Sequence, residues 1–170
     1  MIECVRAVLV TPAGRLLLIR RTWPGATPYR VFPGGHVEPD DPGLRAALVR
    51  EIREETGAEP QITGLLHVLA DAHQRQYFYL ARIGSWSEAD RTGPEFADPD
   101  RGEYRLEEVP LSVRALDALG LEPEEIAALL RAAVTAGTDL AALAESGTVS
   151  PAAGTRNPCA RSLAADGRRV

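Results

Sequence analysis

A chain of 170 residues, 45% hydrophobic and 25% charged, has the length of one domain and enough apolar content to bury a sizeable core. Its formal net charge of −5 argues against a general nucleic-acid coat, which needs a basic face, but leaves phosphate binding open through an intervening divalent cation. The opening MIECVRAVLV carries Glu3 and Arg6 and does not read as a signal peptide, no run approaches the apolar length of a membrane span, and Cys4 and Cys159 lack ligand spacing, so a cytoplasmic protein with reduced thiols is expected.

In chain order, Ile2 to Val10 and Arg15 to Arg20 read as strands joined by the turn Thr11-Pro12-Ala13-Gly14. A loop, RRTWPGATP, covers residues 20–28, and Tyr29 to Phe32 forms a short strand running into Pro33-Gly34-Gly35. An acid-rich helix follows. Asp41 before Pro42 is expected to cap it, and Gly57 suits the left-handed stop just past its end. Ile62 to Ala70 and Gln76 to Ile83 are predicted strands, the second apolar on both faces. The stretch 84–102 reads as a long polar loop, Tyr104 to Val109 as a strand, and Ser112 to Leu119 and Glu124 to Val134 as helices, with Pro123 in the first turn of the latter. After Thr135 the chain is rich in Ala, Gly, Ser and Thr; residues 136–170 are assigned to a low-complexity, disordered tail, with one helical turn at Asp139 to Ala144. This order suggests a mixed-sheet α/β sandwich.

The central helix carries the chemistry. At about 100° per residue, Glu51, Glu54 and Glu55 share an arc of roughly 100°, with Ala47 inside it and Leu48, Val49 and Ile52 on the adjoining arc facing the core. Arg50 stands four residues before Glu54 and can pair with it. Like charges at Glu51 and Glu55 repel beside a buried face unless a cation neutralises them, and an all-oxygen set favours Mg²⁺, with Mn²⁺ as the alternative, over zinc. Acid-rich helix faces are usually only solvated. The Gly-Gly turn at a fixed distance ahead of this one is what singles it out.

The combination resembles the Nudix hydrolase signature of MutT-like proteins: Gly, five residues, Glu, seven residues, then Arg-Glu-apolar-x-Glu-Glu-x-Gly-apolar. Arg50-Glu51-Ile52-Arg53-Glu54-Glu55-Thr56-Gly57-Ala58 matches the second half, although Ala58 is small for its place, and Gly35 begins the first. Two departures stand out. The acid six residues after Gly35 is Asp41, and eight residues rather than seven separate it from Arg50. Asp41 is therefore expected only to start the helix.

The resemblance implies a Nudix-type α/β/α sandwich with a central mixed β-sheet over residues 1–135. It also implies hydrolysis, by metal-activated water, of a diphosphate linkage in a nucleoside diphosphate joined to another group. Glu51, Glu54, Glu55 and the carbonyl of Gly34 would be metal ligands, and Arg50 would hold the glutamates in place. Outside the box, Glu95 is the first candidate for a further acid, ahead of Glu88 and Asp98. Arg20, Arg21 and Arg30 are candidates for phosphate, and Trp23, Tyr77 or Tyr79 for stacking on a base, although core packing suits the tyrosines better. His36, His67 and His73 show no ligand spacing. The expected partner is a small nucleotide or nucleotide derivative, not a nucleic-acid polymer or a membrane. The rival reading is a Nudix-like domain that binds a nucleotide without cleaving it.

Overall fold

The computed structural model describes residues 1–93, 102–146 and 148–151. Its elements are β1 (Ile2–Val10), β2 (Arg15–Thr22), β3 (Tyr29–Val31), α1 (Leu44–Thr56), β4 (Gln61–Ala70), β5 (Gln74–Arg82), β6 (Glu103–Pro110), α2 (Val113–Ala118), β7 (Leu121–Glu122), α3 (Glu124–Ala136), α4 (Leu140–Ser146) and β8 (Thr148–Pro151), with a 3₁₀ turn at Glu88–Asp90. The strands form one mixed sheet in the order β7-β3-β2-β1-β5-β4-β8, with β6 paired to β2. β1 runs antiparallel to β2 and parallel to β5.

Alternation along β1 divides the core in two. Val5, Ala7 and Leu9 pack with Ala47, Leu48 and Ile52 of α1 on one face. On the other, Val8 joins Leu16, Leu18, Phe78 and Leu80 against Leu116 of α2, Ile126, Ala127 and Leu130 of α3, and Leu140 and Ala144 of α4. The result is a mixed sheet between helical layers, the α/β/α sandwich expected.

Three local expectations change. The helix begins at Leu44, with Gly43 as its N-cap and no side-chain cap bond, so Asp41 does not cap it. Pro123 is the N-cap of α3 rather than part of its first turn. The helical turn expected at 139–144 is α4, and after it the stretch read from composition as tail adds an edge strand parallel to β4. Small residues bring α4 against β4: a Cβ on Gly64 of β4 would lie 3.1 Å from the carbonyl oxygen of Ala144. The C-terminal stop is as expected, with Gly57 at φ 66° donating its N–H to the Arg53 carbonyl at 2.9 Å.

Candidate active site

The Gly-Gly turn is held against β1 by backbone pairing. Ala7 N–H donates to Pro33 O at 2.8 Å, Val5 N–H to Gly35 O at 2.9 Å and Val37 N–H to Glu3 O at 2.9 Å. This contact leaves no room for a side chain at Gly34, where φ is 130° and a Cβ would overlap the Val5 carbonyl. A Cβ on Gly35 would overlap the carboxylate of Glu51. The turn is therefore a shallow cradle facing α1, with the Glu51 carboxylate lying directly over it.

The three glutamates differ in what they contact, and Glu51 and Glu55 are the two at the cradle. Glu55, 7% exposed, accepts a hydrogen bond from Gly34 N–H at 2.5 Å through Oε2. Glu51 accepts from Arg50 Nη1 at 2.9 Å, and Glu54, more exposed, from the same nitrogen at 3.4 Å. Burial raises the pKa of Glu51, with Arg50 first among the groups opposing that shift. Ala47 belongs to the core rather than to this acidic arc.

Arg50 organises the cluster and reaches further than a partner four residues along. Its Nε donates to Asp41 Oδ1 at 3.1 Å and its Nη2 to Asp41 Oδ2 at 2.9 Å, a fork-on-carboxylate pair. Nη2 also donates to the carbonyl of His36 at 2.9 Å. The Asp41 bond is the largest cause of an upward shift of the Arg50 guanidinium, and the same bond lowers the pKa of Asp41. Asp41 also accepts from Glu38 N–H at 2.8 Å.

Glu51, Glu54, Glu55 and the Gly34 carbonyl form an oxygen-only set, whose chemistry fits a hard divalent cation. Among the described residues no three carboxylates or imidazoles are already gathered as a metal cluster. Each of these acids is engaged by Arg50 or by the Gly34 amide, and the Gly34 carbonyl accepts from Nη1 of Arg6.

The other candidates are scattered. Arg30 donates to both carboxylate oxygens of Glu107, at 2.9 and 3.4 Å, and to the Leu119 carbonyl at 3.1 Å. Arg20 lies between Arg30 and Arg105 across the strands. Arg21 stacks on Tyr104, 3.6 Å from the ring centroid, and lies 5.6 Å from that of Trp23. Trp23 borders an open groove of about 450 Å³ with Thr22, Pro24, Gly102 and Glu103. Tyr79 is in the core, and Tyr77 donates its hydroxyl to Glu3 at 2.8 Å. Glu88 accepts from Leu106 N–H at 2.7 Å, bracing the loop to β6. Glu95 and Asp98 lie outside the described residues.

Sequence reasoning missed a second group. Arg6, Gln76 and Glu122 line a small cleft with Phe32, Phe78 and Pro123, and the two phenyl rings meet edge to face at 5.8 Å. The signal available was a lone arginine inside the apolar run CVRAVLV.

A NUDIX domain profile matches residues 3–130. No curated protein matches the chain. Among solved structures it is similar to the ORF135 protein of E. coli, at 28% identity, covering 76% of this chain and 86% of that one with a TM-score of 0.52. A MutT structure from work on Aliivibrio salmonicida and Vibrio cholerae is 16% identical, covering 77% of this chain and 96% of that one, with a TM-score of 0.56. An ADP-ribose pyrophosphatase from Streptococcus suis is 18% identical, covering 89% and 98%, with a TM-score of 0.55. The last two are likenesses of fold.

Proposed function

The chain belongs to the NUDIX family and is a pyrophosphohydrolase of that family's type, and on that premise we propose that it is a Mg²⁺-dependent hydrolase of a nucleoside diphosphate joined to another group. The observation that carries the reading is the convergence of Glu51 and Glu55 on the Gly34-Gly35 turn, with Arg50 tying Glu51 and Glu54 to Asp41. Glu51, Glu54, Glu55 and the Gly34 carbonyl would hold the cation. When bound, it supplies charge neutralisation for the diphosphate oxygens and a water acidic enough to attack phosphorus near neutral pH.

The chain's own residues supply orientation and proton transfer. Arg50 fixes the carboxylates from outside the cradle, and Asp41 fixes Arg50. One of Glu51, Glu54 and Glu55 would take the proton from the attacking water or orient the group that does. Trp23, beside its open groove, is the candidate base-stacking residue, and Arg20 the candidate phosphate contact. Arg30 is a weaker candidate, because Glu107 and Leu119 already engage it. Among the described residues no helix is long and apolar enough to cross a membrane, and a cytoplasmic location goes with the nucleotide substrate in this proposal.

The test is cleavage in Mg²⁺, read by chromatography of the nucleotide products, of a panel of modified nucleoside triphosphates, nucleotide sugars and dinucleoside polyphosphates. Wild type should turn over at least one class, and Glu54→Gln and Glu55→Gln should each lower kcat by roughly a hundredfold or more. Tight nucleotide binding with no turnover across the panel would favour the non-catalytic alternative.

A further inference from the structure

Arg6 stands in the middle of β1 between the fully buried Val5 and Ala7, and is itself only 7% exposed. A guanidinium at such a place is costly unless acceptors or anions offset its lost hydration. One acceptor is the Gly34 carbonyl, to which Nη1 of Arg6 donates. The backbone bonds on either side of Gly34 set that residue opposite Arg6, and the missing side chain at Gly34 lets the β1 backbone at Val5 and Arg6 come close.

That carbonyl belongs to the oxygen set assigned above to the cation, whose carboxylates Glu51 and Glu54 are engaged by Arg50. Arg50 has its own anchor in Asp41, outside the cradle. Arg6 has its bond inside it, on the carbonyl oxygen itself.

We infer that Arg6 is an internal counter-charge at the cation site, holding the Gly34 carbonyl in the free protein and opposing the entry of a divalent ion. The inference rests on the cation-dependent reading above. A guanidinium and a dication near one carbonyl repel, so the ion binds only by displacing Arg6 or by overcoming its field. The free protein therefore holds the ion less tightly than its oxygen set would allow. The negative charge of a bound nucleotide diphosphate would make up the difference, so that ion and substrate load together.

The experiment is Mn²⁺ titration of the full-length protein without nucleotide, read by the electron paramagnetic resonance signal of free Mn²⁺. The proteins are wild type, Arg6→Gln, Arg6→Met and Arg6→Lys. Gln keeps a donor for the Gly34 carbonyl and removes the charge, Met removes both, and Lys keeps the charge. Thermal melts in chelator check that each variant is folded, and Gln carries the test should Met not fold. Gln and Met should bind Mn²⁺ about fivefold to tenfold more tightly than wild type, and Lys within about twofold of it. Neutral variants that bind Mn²⁺ equally or more weakly would overturn the inference, because a mere brace for the turn can only lose affinity on removal. If none of the four proteins binds Mn²⁺, the cation reading fails first and the counter-charge with it.

Discussion

Asp41→Ser and Asp41→Asn separate two roles for one side chain. As a helix cap, Asp41 would be replaced by Ser or Asn at almost no cost, since all three are good caps. The structure instead sets its carboxylate, 7% exposed, on the fork of Arg50 and on the Glu38 amide. Bonds to charged groups contribute about 1.5–3 kcal/mol each, and the partial exposure of Arg50 moves the pair toward the low end, so Asp41→Ser should cost about 2 kcal/mol. For a chain of this size that lowers Tm by roughly 4–8 °C, and Asp41→Asn, which keeps one acceptor, by about half as much. Hydrogen bonding to Arg50 lowers the folded pKa of Asp41. The stabilisation is therefore complete above the unfolded value near 4 and lost as pH falls through the folded value, so the gap between wild type and variant should close in acid. The assay is thermal unfolding in chelator at pH 7 and at successively lower pH, with an Arg50→Met double-mutant cycle. A Ser variant within about 0.5 kcal/mol of wild type at pH 7, or a cycle additive to that margin, would refute the clamp and restore the cap.

Further outcomes follow from the same geometry. Gly34→Ala forces a Cβ into the Val5 carbonyl at positive φ and should destabilise the fold by about 3 kcal/mol or more, read as a lowered denaturation midpoint. Gly35→Ala meets only the movable end of Glu51, so stability should change by less than about 1 kcal/mol while kcat/KM falls at least about tenfold. Wild-type turnover in Gly35→Ala would show that Glu51 is not needed where it stands. Burial lowers the pKa of His67 against the opposing pull of Glu125, so the unfolded chain takes up the proton first. Stability should decline as pH drops below about 6.5, and His67→Gln should flatten that slope in urea midpoints compared at pH 7.5 and 5.5. An unchanged slope in the variant would assign the effect elsewhere.

The fold and the second half of the box were legible because local rules and packing agree there. Period-two apolar runs give the strands, and Gly57 ends α1 where its left-handed conformation is needed. What stayed hidden depends on partners distant in sequence. A single-helix projection put Ala47 among the acids, whereas the neighbouring sheet takes it into the core beside Leu48. Arg30 looked free for phosphate because nothing local announces Glu107, 77 residues away. Arg6 was visible as a charge in an apolar strand, but its acceptor is a carbonyl 28 residues on. The helical turn expected at 139–144 is present as α4, but nothing local announces that Leu140 and Ala144 pack against the sheet.

The two departures of the box are best read as one structural change. In the family pattern seven residues separate a glutamate from the arginine; here eight separate an aspartate from it. Aspartate is shorter by one methylene, about 1.5 Å of reach, so its backbone must come closer to Arg50 to make the same fork. The additional residue provides that approach. Glu38 N–H donates to Asp41 Oδ2 at 2.8 Å and Asp41 N–H to Glu38 O at 3.1 Å, closing a tight turn that aims the carboxylate at the guanidinium. Pro42 and Gly43 then carry the chain to the helix start at Leu44 without calling on an Asp41 cap. A spacing that looks like damage to the motif is thus what lets a shorter acid reach Arg50, and with it the glutamates over the Gly-Gly turn.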